Sequence, residues 1–462
     1  MGREPTTRLQ VSGYRFLLRR MEHGLVRGDV RMLDDPLRAQ SLSLIAGCML
    51  AVIAIAGCAI LAFVRPQGAL GSAPIVIARE SGALYVRIGD TMHPVLNLAS
   101  ARLIAGSPAN PEVVSESAVH DAKRGPLVGI PGAPSTIAHP LDGDESRWTV
   151  CDDATTTTVI AGETPGPLDP AQSALVTPHS ESAATTYLLY DGWRARVDLR
   201  NHTVVRALRL ESIAPRPVSR ALLDALPEAP QITAPHIPGA GSLGPPLLRG
   251  FTVGTVVRVV RTDATEYYVV LAHGVQRIGE VAADLIRFTD SQSGREIATV
   301  APDVIGAVPM VEDLPVATFP ERGGASVDAV LCAGWRASAG GSANALVLMG
   351  DSLPLASGNT AVYLAQADGQ GYNVDSVFVP HGRSAYVRAS AITGDGGSAG
   401  SLYVINDSGV VFGVHDDDAA KRLGLTTPAV PAPWPVLARL PRGPELSVQA
   451  ASVVRDSIGS AP

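Results

Sequence analysis

The chain has 462 residues, 46% hydrophobic and 18% charged, a globular composition long enough for about three domains. A net charge of -7 and the lack of a basic footprint exclude a nucleic-acid binder, and no RNA- or DNA-binding motif is present. Only 5% of residues are aromatic, whereas Gly (46) and Pro (36) are plentiful, which favours short strands and turns over long helices in the large C-terminal part.

Residues 1–40 form a basic arm. Val11, Tyr14, Leu18, Met21 and Leu25 recur at steps of three and four, one stripe of a helix, with Arg15, Arg19 and Glu22 interleaved. Such a helix can lie on a lipid surface or dock on a partner helix; partner contact through Arg15, Arg19 and Arg20 is the preferred expectation. Asp34-Asp35-Pro36 breaks the pattern.

Residues 41–64, SLSLIAGCMLAVIAIAGCAILAFV, carry no charge and suffice to cross a hydrocarbon core of about 30 Å. A signal peptide would have a shorter apolar region nearer the start and a small-x-small cleavage site, neither of which is seen. Arg3, Arg8, Arg15, Arg19, Arg20, Arg27, Arg31 and Arg38 precede the span, and Arg65 alone follows it before Arg79. The positive-inside rule then puts the N-terminus in the cytosol and the body, from about residue 65, outside. Gly47 and Gly57 are candidates for close helix packing, though not at GxxxG spacing; Cys48 and Cys58 read as small lipid-facing or packing residues. In an exported body, Cys151 and Cys332 point to a disulfide, with two free buried thiols as the alternative.

The body shows a loose repetition. A Tyr-led apolar strand, a Gly or Asp turn, a second strand and a short helix recur around Leu84–Ile104, Tyr187–Leu210, Tyr267–Ile286 and Leu402–Leu423. The copies are unequally spaced, which excludes a solenoid of fixed period. Pro-rich joints at 214–217 and 227–246 are extended and stiff. Ala345–Met349, Ala361–Leu364 and Val377–Val379 read as buried core strands, and Pro431–Leu446 as an extended segment pinned by Trp434, Val436 and Leu440.

Several idiosyncratic stretches together resemble EccB, the single-span core component of type VII (ESX) secretion systems in mycobacteria and their relatives. They are VSGYRFLLRRME at 11–22, DPLRAQS at 35–41, Arg65-Pro66 and YVRIGDTMHPVLNLASARLI at 85–104. LLDALPEAPQITAPHIPGAG at 222–241, VFVPHGRSAYVRA at 377–389, GVVFGVHDDDAAKRLGL at 409–425 and PAPWPVLARLPRGPELSVQAASVVRD at 431–456 complete them. The resemblance implies an α+β protein: one N-terminal transmembrane helix, then an elongated extracytoplasmic body with a β-rich core and four small mixed α/β repeat domains. On that scheme 1–40 is the arm, 41–64 the span, and 65–125, 183–215, 251–300 and 393–455 are repeats one to four. Residues 126–182, 216–250 and 301–392 supply the core. The resemblance further implies a core disulfide at Cys151 and Cys332. Implied partners are the EccC motor ATPase, the membrane components EccD and EccE and the mycosin protease, with self-association as a dimer or higher oligomer. The repeats' likeness to a wall-binding module implies contact with peptidoglycan.

ATPase activity has been assigned to some family members, and the residues do not support it. A P-loop requires a Gly-rich turn closed by Lys-Ser/Thr. Lys123 and Lys421 follow no such loop, and the segments at Gly340-Gly341 and Gly394–Gly397 lack a lysine. No cofactor motif is present; ATP stays open on resemblance alone. Gly350-Asp351-Ser352-Leu353 spells an esterase motif but has no downstream Asp-x-x-His to activate the serine. His415-Asp416-Asp417-Asp418 reads as the acidic start of a helix rather than a cation site. The ten histidines show no metal spacing, and Arg383 is expected to pair with a carboxylate or anchor a turn. The sequence thus favours a non-enzymatic membrane scaffold, with a membrane-anchored ATPase and a peptidoglycan anchor as rivals.

Overall fold

The computed structural model describes residues 7–28, 36–64, 70–162, 169–170, 173–179, 185–262, 264–289, 296–338, 342–369, 371–394 and 399–456. Two compact units divide the chain: residues 1–71 with 114–119, and residues 72–113 with 120–462.

In the first unit, the arm is the helix Arg8–Arg27. Its start is fixed by the Gln10 side chain, which accepts the Thr7 N–H at 3.0 Å. Its end is Gly28, whose φ of 68° lets its N–H turn back to the Gly24 carbonyl at 2.9 Å. A second helix, Pro36–Val64, opens on proline, whose missing N–H costs nothing in a first turn. Within it Ser41–Ile60 is long and apolar enough to cross a membrane, and no other described helix is. Twenty residues rise roughly 30 Å. Leu42, Ile45, Met49, Val52, Ile53 and Ile60 are exposed around the helix, as the all-round apolar surface of a span requires.

The second unit is built on a seven-stranded sheet. Its strand order is Asp169–Pro170, Ala343–Gly350, Val330–Ala337, Arg147–Asp152, Thr157–Ala161, Ser376–Phe378 and Val362–Tyr363. Period-two alternation gives the sheet two faces. Trp148, Val150, Val159, Leu331, Ala333, Trp335, Val347 and Met349 belong to the largest core cluster. The other face carries Cys151, Cys332, Ile160, Leu348 and Phe378 in a smaller one.

Four modules repeat one topology: a three-stranded antiparallel meander, a helix, then a return strand that pairs parallel to the meander. Each Tyr-led strand is the middle of its meander. In the first module Leu84–Ile88 lies between Ile75–Ala78 and Thr91–Pro94, followed by the helix Leu98–Ala105 and the return strand Lys123–Arg124 beside Thr91. In the second, Tyr187–Tyr190 lies between Ala174–Pro178 and Trp193–Arg196, with the helix His202–Ala207 and two parallel returns, Arg216–Val218 and Glu228–Ala229. The third has Thr265–Val270 between Val256–Val260 and Val275–Ile278, the helix Glu280–Thr289 and the return Ala298–Thr299. The fourth has Leu402–Ile405 between Arg383–Ser390 and Val411–Val414, the helix Asp417–Leu423 and the return Val430–Pro433. The opening and return strands lie beyond the hairpin–helix units visible as local periodicity, because parallel pairing across some forty residues, as at Val176 and Arg216, leaves no local pattern.

Asp191-Gly192 shows how a module meets the core. Both residues have positive φ, 43° and 78°, the two-residue turn that suits hairpin twist. A β-carbon on Gly192 would lie 2.1 Å from the carbonyl oxygen of Ala345 in the core sheet, so only glycine permits the approach.

Candidate functional site

The residues singled out for chemistry occupy structural roles. Asp416 caps the fourth module's helix, its Oδ1 accepting the Ala419 N–H at 2.7 Å. Asp418 pairs with Arg422 at 2.8 Å, and His415 with Glu445 at 2.8 Å. That hydrogen bond from the imidazole to the Glu445 carboxylate, and its charge, raise the His415 pKa. Arg383 donates to Glu145 at 2.7 Å and to the Pro140 carbonyl at 3.0 Å, both anchor and ion pair. The Asp142 N–H and then Arg383 hold the Glu145 carboxyl below its usual range. Gly350 ends a strand, Asp351 and Ser352 are exposed in the bend after it, and among the described residues no histidine hydrogen-bonds Ser352. Among the described residues no three His, Cys, Asp or Glu side chains cluster as a metal would need. Lys421 sits in the last turn of a helix, favoured by the macrodipole, and Lys123 on an exposed edge strand. Gly340, Gly341 and Asp395–Gly397 lie outside the described residues, as do Arg3, Arg31, Asp34, Asp35 and Arg65.

Cys151 and Cys332 are joined by a disulfide, with Cα atoms 4.1 Å apart and directly opposed in the ladder between Arg147–Asp152 and Val330–Ala337. Cys48 and Cys58 are free thiols on the outside of the span. Gly47 and Gly57 have open space where a β-carbon would stand. The arm's Tyr14, Met21 and Leu25 are exposed, as are Arg15, Arg19 and Arg20. Ten residues apart on a 3.6-residue helix, Gly47 and Gly57 fall about 80° apart, on neighbouring faces.

Two groups of residues that local sequence patterns did not mark hold the modules together. In the first and fourth modules the helices cap one another. Arg102, 9% exposed, donates to the Leu423 carbonyl, and Arg422 donates to the Leu103 carbonyl. Both are an Arg-Leu pair in a helix's last turn, a signal an alignment of the copies would have found. The second and third modules meet through Phe288, with Arg206 at 4.3 Å and Arg287 at 4.6 Å from its ring centre, and through the Arg209–Glu280 ion pair.

The second group is buried. Asp152 accepts from Ser219 N–H at 2.6 Å, Ser219 Oγ at 2.9 Å and Thr157 Oγ1 at 2.9 Å. Asp375 accepts Thr157 N–H at 2.7 Å and the N–H groups of Asp368 and Gly369. Burial pushes the Asp152 carboxyl up, against the hydrogen bonds that favour its charge. Ser219 caps the short helix Arg220–Asp224, so Asp152 ties the second module to the core sheet, while Asp375 holds the 368–375 segment of the core to the strand Thr157–Ala161.

These contacts fix the modules to one another and to the core of the chain. The family described as "Type VII secretion system ESX-1, transport TM domain B" matches residues 3–460. The chain belongs to the EccB family. EccB is a component of the ESX secretion system. It is 39% identical over 478 residues to "ESX-3 secretion system ATPase EccB3" of Mycolicibacterium smegmatis, covering 99% of this chain and 92% of that one. It is 35% identical to "ESX-1 secretion system ATPase EccB1" of Mycobacterium tuberculosis, covering 100% and 97%. Among solved structures it is similar to a chain of "an intact ESX-5 inner membrane complex", with TM-score 0.71, 34% identity and coverage of 100% and 98%. It is also similar to the "EccB3 dimer from the ESX-3 core complex", with TM-score 0.69, 35% identity and coverage of 83% and 100%.

Proposed function

We propose that this EccB chain is a non-enzymatic scaffold of an ESX inner membrane complex, with its arm in the cytosol and its modular body on the periplasmic side. The observation that carries the reading is the mutual capping of Arg102 and Arg422. Polar side chains that an enzyme would aim at substrate are spent here on neighbouring carbonyls. The proposed partners of the arm and span are the EccC motor ATPase and the membrane components EccD and EccE, with the mycosin protease beside the body. Arg15, Arg19 and Arg20 serve the cytosolic contact, and Gly47 and Gly57 the packing in the bilayer. Self-association as a dimer or higher oligomer follows the related EccB3 dimer.

The relatives' names keep an ATPase as the rival reading. Full-length protein in mild detergent, supplied with magnesium and ATP, is expected to release no phosphate above a protein-free blank. Release that tracks the purified protein through a sizing column would overturn the scaffold reading. A third role, as an anchor to peptidoglycan, would show as sedimentation with isolated cell-wall sacculi without co-purification with the motor.

A further inference from the structure

Arg147 and Arg336 stand directly opposite each other in the core sheet. Paired residues of an antiparallel ladder share a face, so the two arginine side chains leave the sheet from neighbouring positions on one face. Asn344 is the next residue in the same row, opposite Arg336 on the following strand. Like charges in such a pair repel, and proteins usually interleave a carboxylate. Here none is supplied: among the described residues neither guanidinium has an ion pair or a hydrogen bond, and the Nε of Arg147 is shut off from solvent without an acceptor. Glu145, two residues from Arg147, is turned away to Arg383 at 2.7 Å.

The neighbouring row sharpens the picture. It runs Thr149, Gly334, Leu346. Leu346 is 53% exposed, and its β-carbon lies 4.0 Å from the place where a side chain on Gly334 would begin. An apolar side chain thus lies open to solvent near two arginines that have no carboxylate partner among the described residues. One row further on, the Cys151–Cys332 bond pins the register of the two strands that carry the arginines. The surface is therefore preorganised, which lowers the cost of binding to it.

We propose that Arg147, Arg336, Asn344 and Leu346 form a docking surface for a partner protein, engaged by a segment that carries an aspartate or glutamate next to an apolar side chain. The carboxylate supplies the counter-charge that the described residues of the sheet lack, in charge-assisted and geometrically matched hydrogen bonds. The apolar neighbour covers Leu346, and Arg beside apolar surface is the composition of interface cores. The exposed strip of Arg336, Asn344 and Leu346 suits a protein segment better than a small anion, which needs a concave site. This deepens the scaffold reading by naming a contact of the body, and rests on that reading only for the existence of a partner.

The test places a photo-crosslinking residue at position 346 of the full chain, in membranes that contain the assembled secretion complex. The expected adduct is a protein segment with Asp or Glu beside an apolar residue. Arg147→Glu with Arg336→Glu should cut its yield at least tenfold, whereas Arg147→Lys with Arg336→Lys should keep more than half. An adduct indifferent to charge reversal, a segment without an acidic residue, an adduct on lipid or glycan, or no adduct at all overturns the proposal. A second measurement guards against misfolding. The Tm of purified Arg336→Gln protein should be unchanged or higher, because a repulsion is relieved; a fall of several degrees would reveal an internal partner and overturn it too. Co-purification through the arm is read in the same samples, so loss of this surface is distinguished from failure of the scaffold reading.

Discussion

Arg102 and Arg422 close each other's helices: Arg102 Nη1 donates to the Leu423 carbonyl at 3.0 Å, and Arg422 Nη1 donates to the Leu103 carbonyl at 3.1 Å. The final carbonyls of a helix have no intrahelical donor, and a cation there also meets the negative end of the macrodipole. Arg102 additionally donates to Asn110 Oδ1 at 3.0 Å and is nearly buried, so its loss strands more groups. Arg102→Ala is expected to destabilise the body by about 2–3 kcal/mol and Arg422→Ala by about 1 kcal/mol less. The double mutant should fall short of the sum, since each change already loosens the shared interface. Denaturant titration of the four proteins tests this; strict additivity would show two independent caps.

Removing the disulfide acts on the unfolded chain. Cys151 and Cys332 are separated by 181 residues, so on a chain-entropy account the bond stabilises by about 5 kcal/mol. Cys151→Ala with Cys332→Ala should lower the midpoint of unfolding markedly. A shift smaller than about 1 kcal/mol would assign the bond a role other than stability.

Gly192→Ala tests the contact between the second module and the core. The new methyl would meet the Ala345 carbonyl at 2.1 Å on a residue with φ of 78°, and a cost of roughly 2–4 kcal/mol is expected from crowding and left-handed strain together. Gly82→Ala is the control: its φ is 69°, but the space is open, so only the strain of about 1 kcal/mol applies. Equal losses in the two mutants would refute the close approach.

His415 should titrate above its ordinary value of 6.5, because it hydrogen-bonds and is attracted to Glu445. A raised value in the folded state means that its contribution to stability is fully present below pH 6.5 and is lost as pH rises through the folded value. NMR titration of the imidazole checks the direction, and Glu445→Gln should return the value toward 6.5. An unchanged titration in that mutant would mean the pair is not formed in solution.

Gly47→Ile with Gly57→Ile should leave insertion of the span intact while weakening co-purification with the membrane complex, because close packing in lipid depends on small residues. Unaltered co-purification would reduce the span to an anchor.

Much of this protein could be read locally. The uncharged run at 41–64 needs only its length, and the arm only a period of 3.6, to be recognised. Each Tyr-led strand stood out as a short apolar run closed by a Gly or Asp turn, and Asp416 by its place ahead of an Ala-rich helix. The strands opening each meander were harder. Arg383–Ser390 is a single run that pairs with His139–Pro140 at one end and with Val430–Pro433 at the other, so its partners are decided far away in sequence.

The candidate chemistry divides along the same line. By itself the sequence determined where charge is missing and where it is plentiful, and hence the span, the basic arm and the want of a P-loop, because hydrophobicity and motif spacing are properties of adjacent residues. Only the tertiary structure decided what the arginines of the body do. Arg102 reaches Leu423 across 321 positions, Arg383 reaches Glu145 across 238, and Arg147 faces Arg336 with no carboxylate paired to either among the described residues. A guanidinium's role is set by the acceptors within a few ångströms of it, and strand register and helix packing, not sequence neighbourhood, bring those acceptors there.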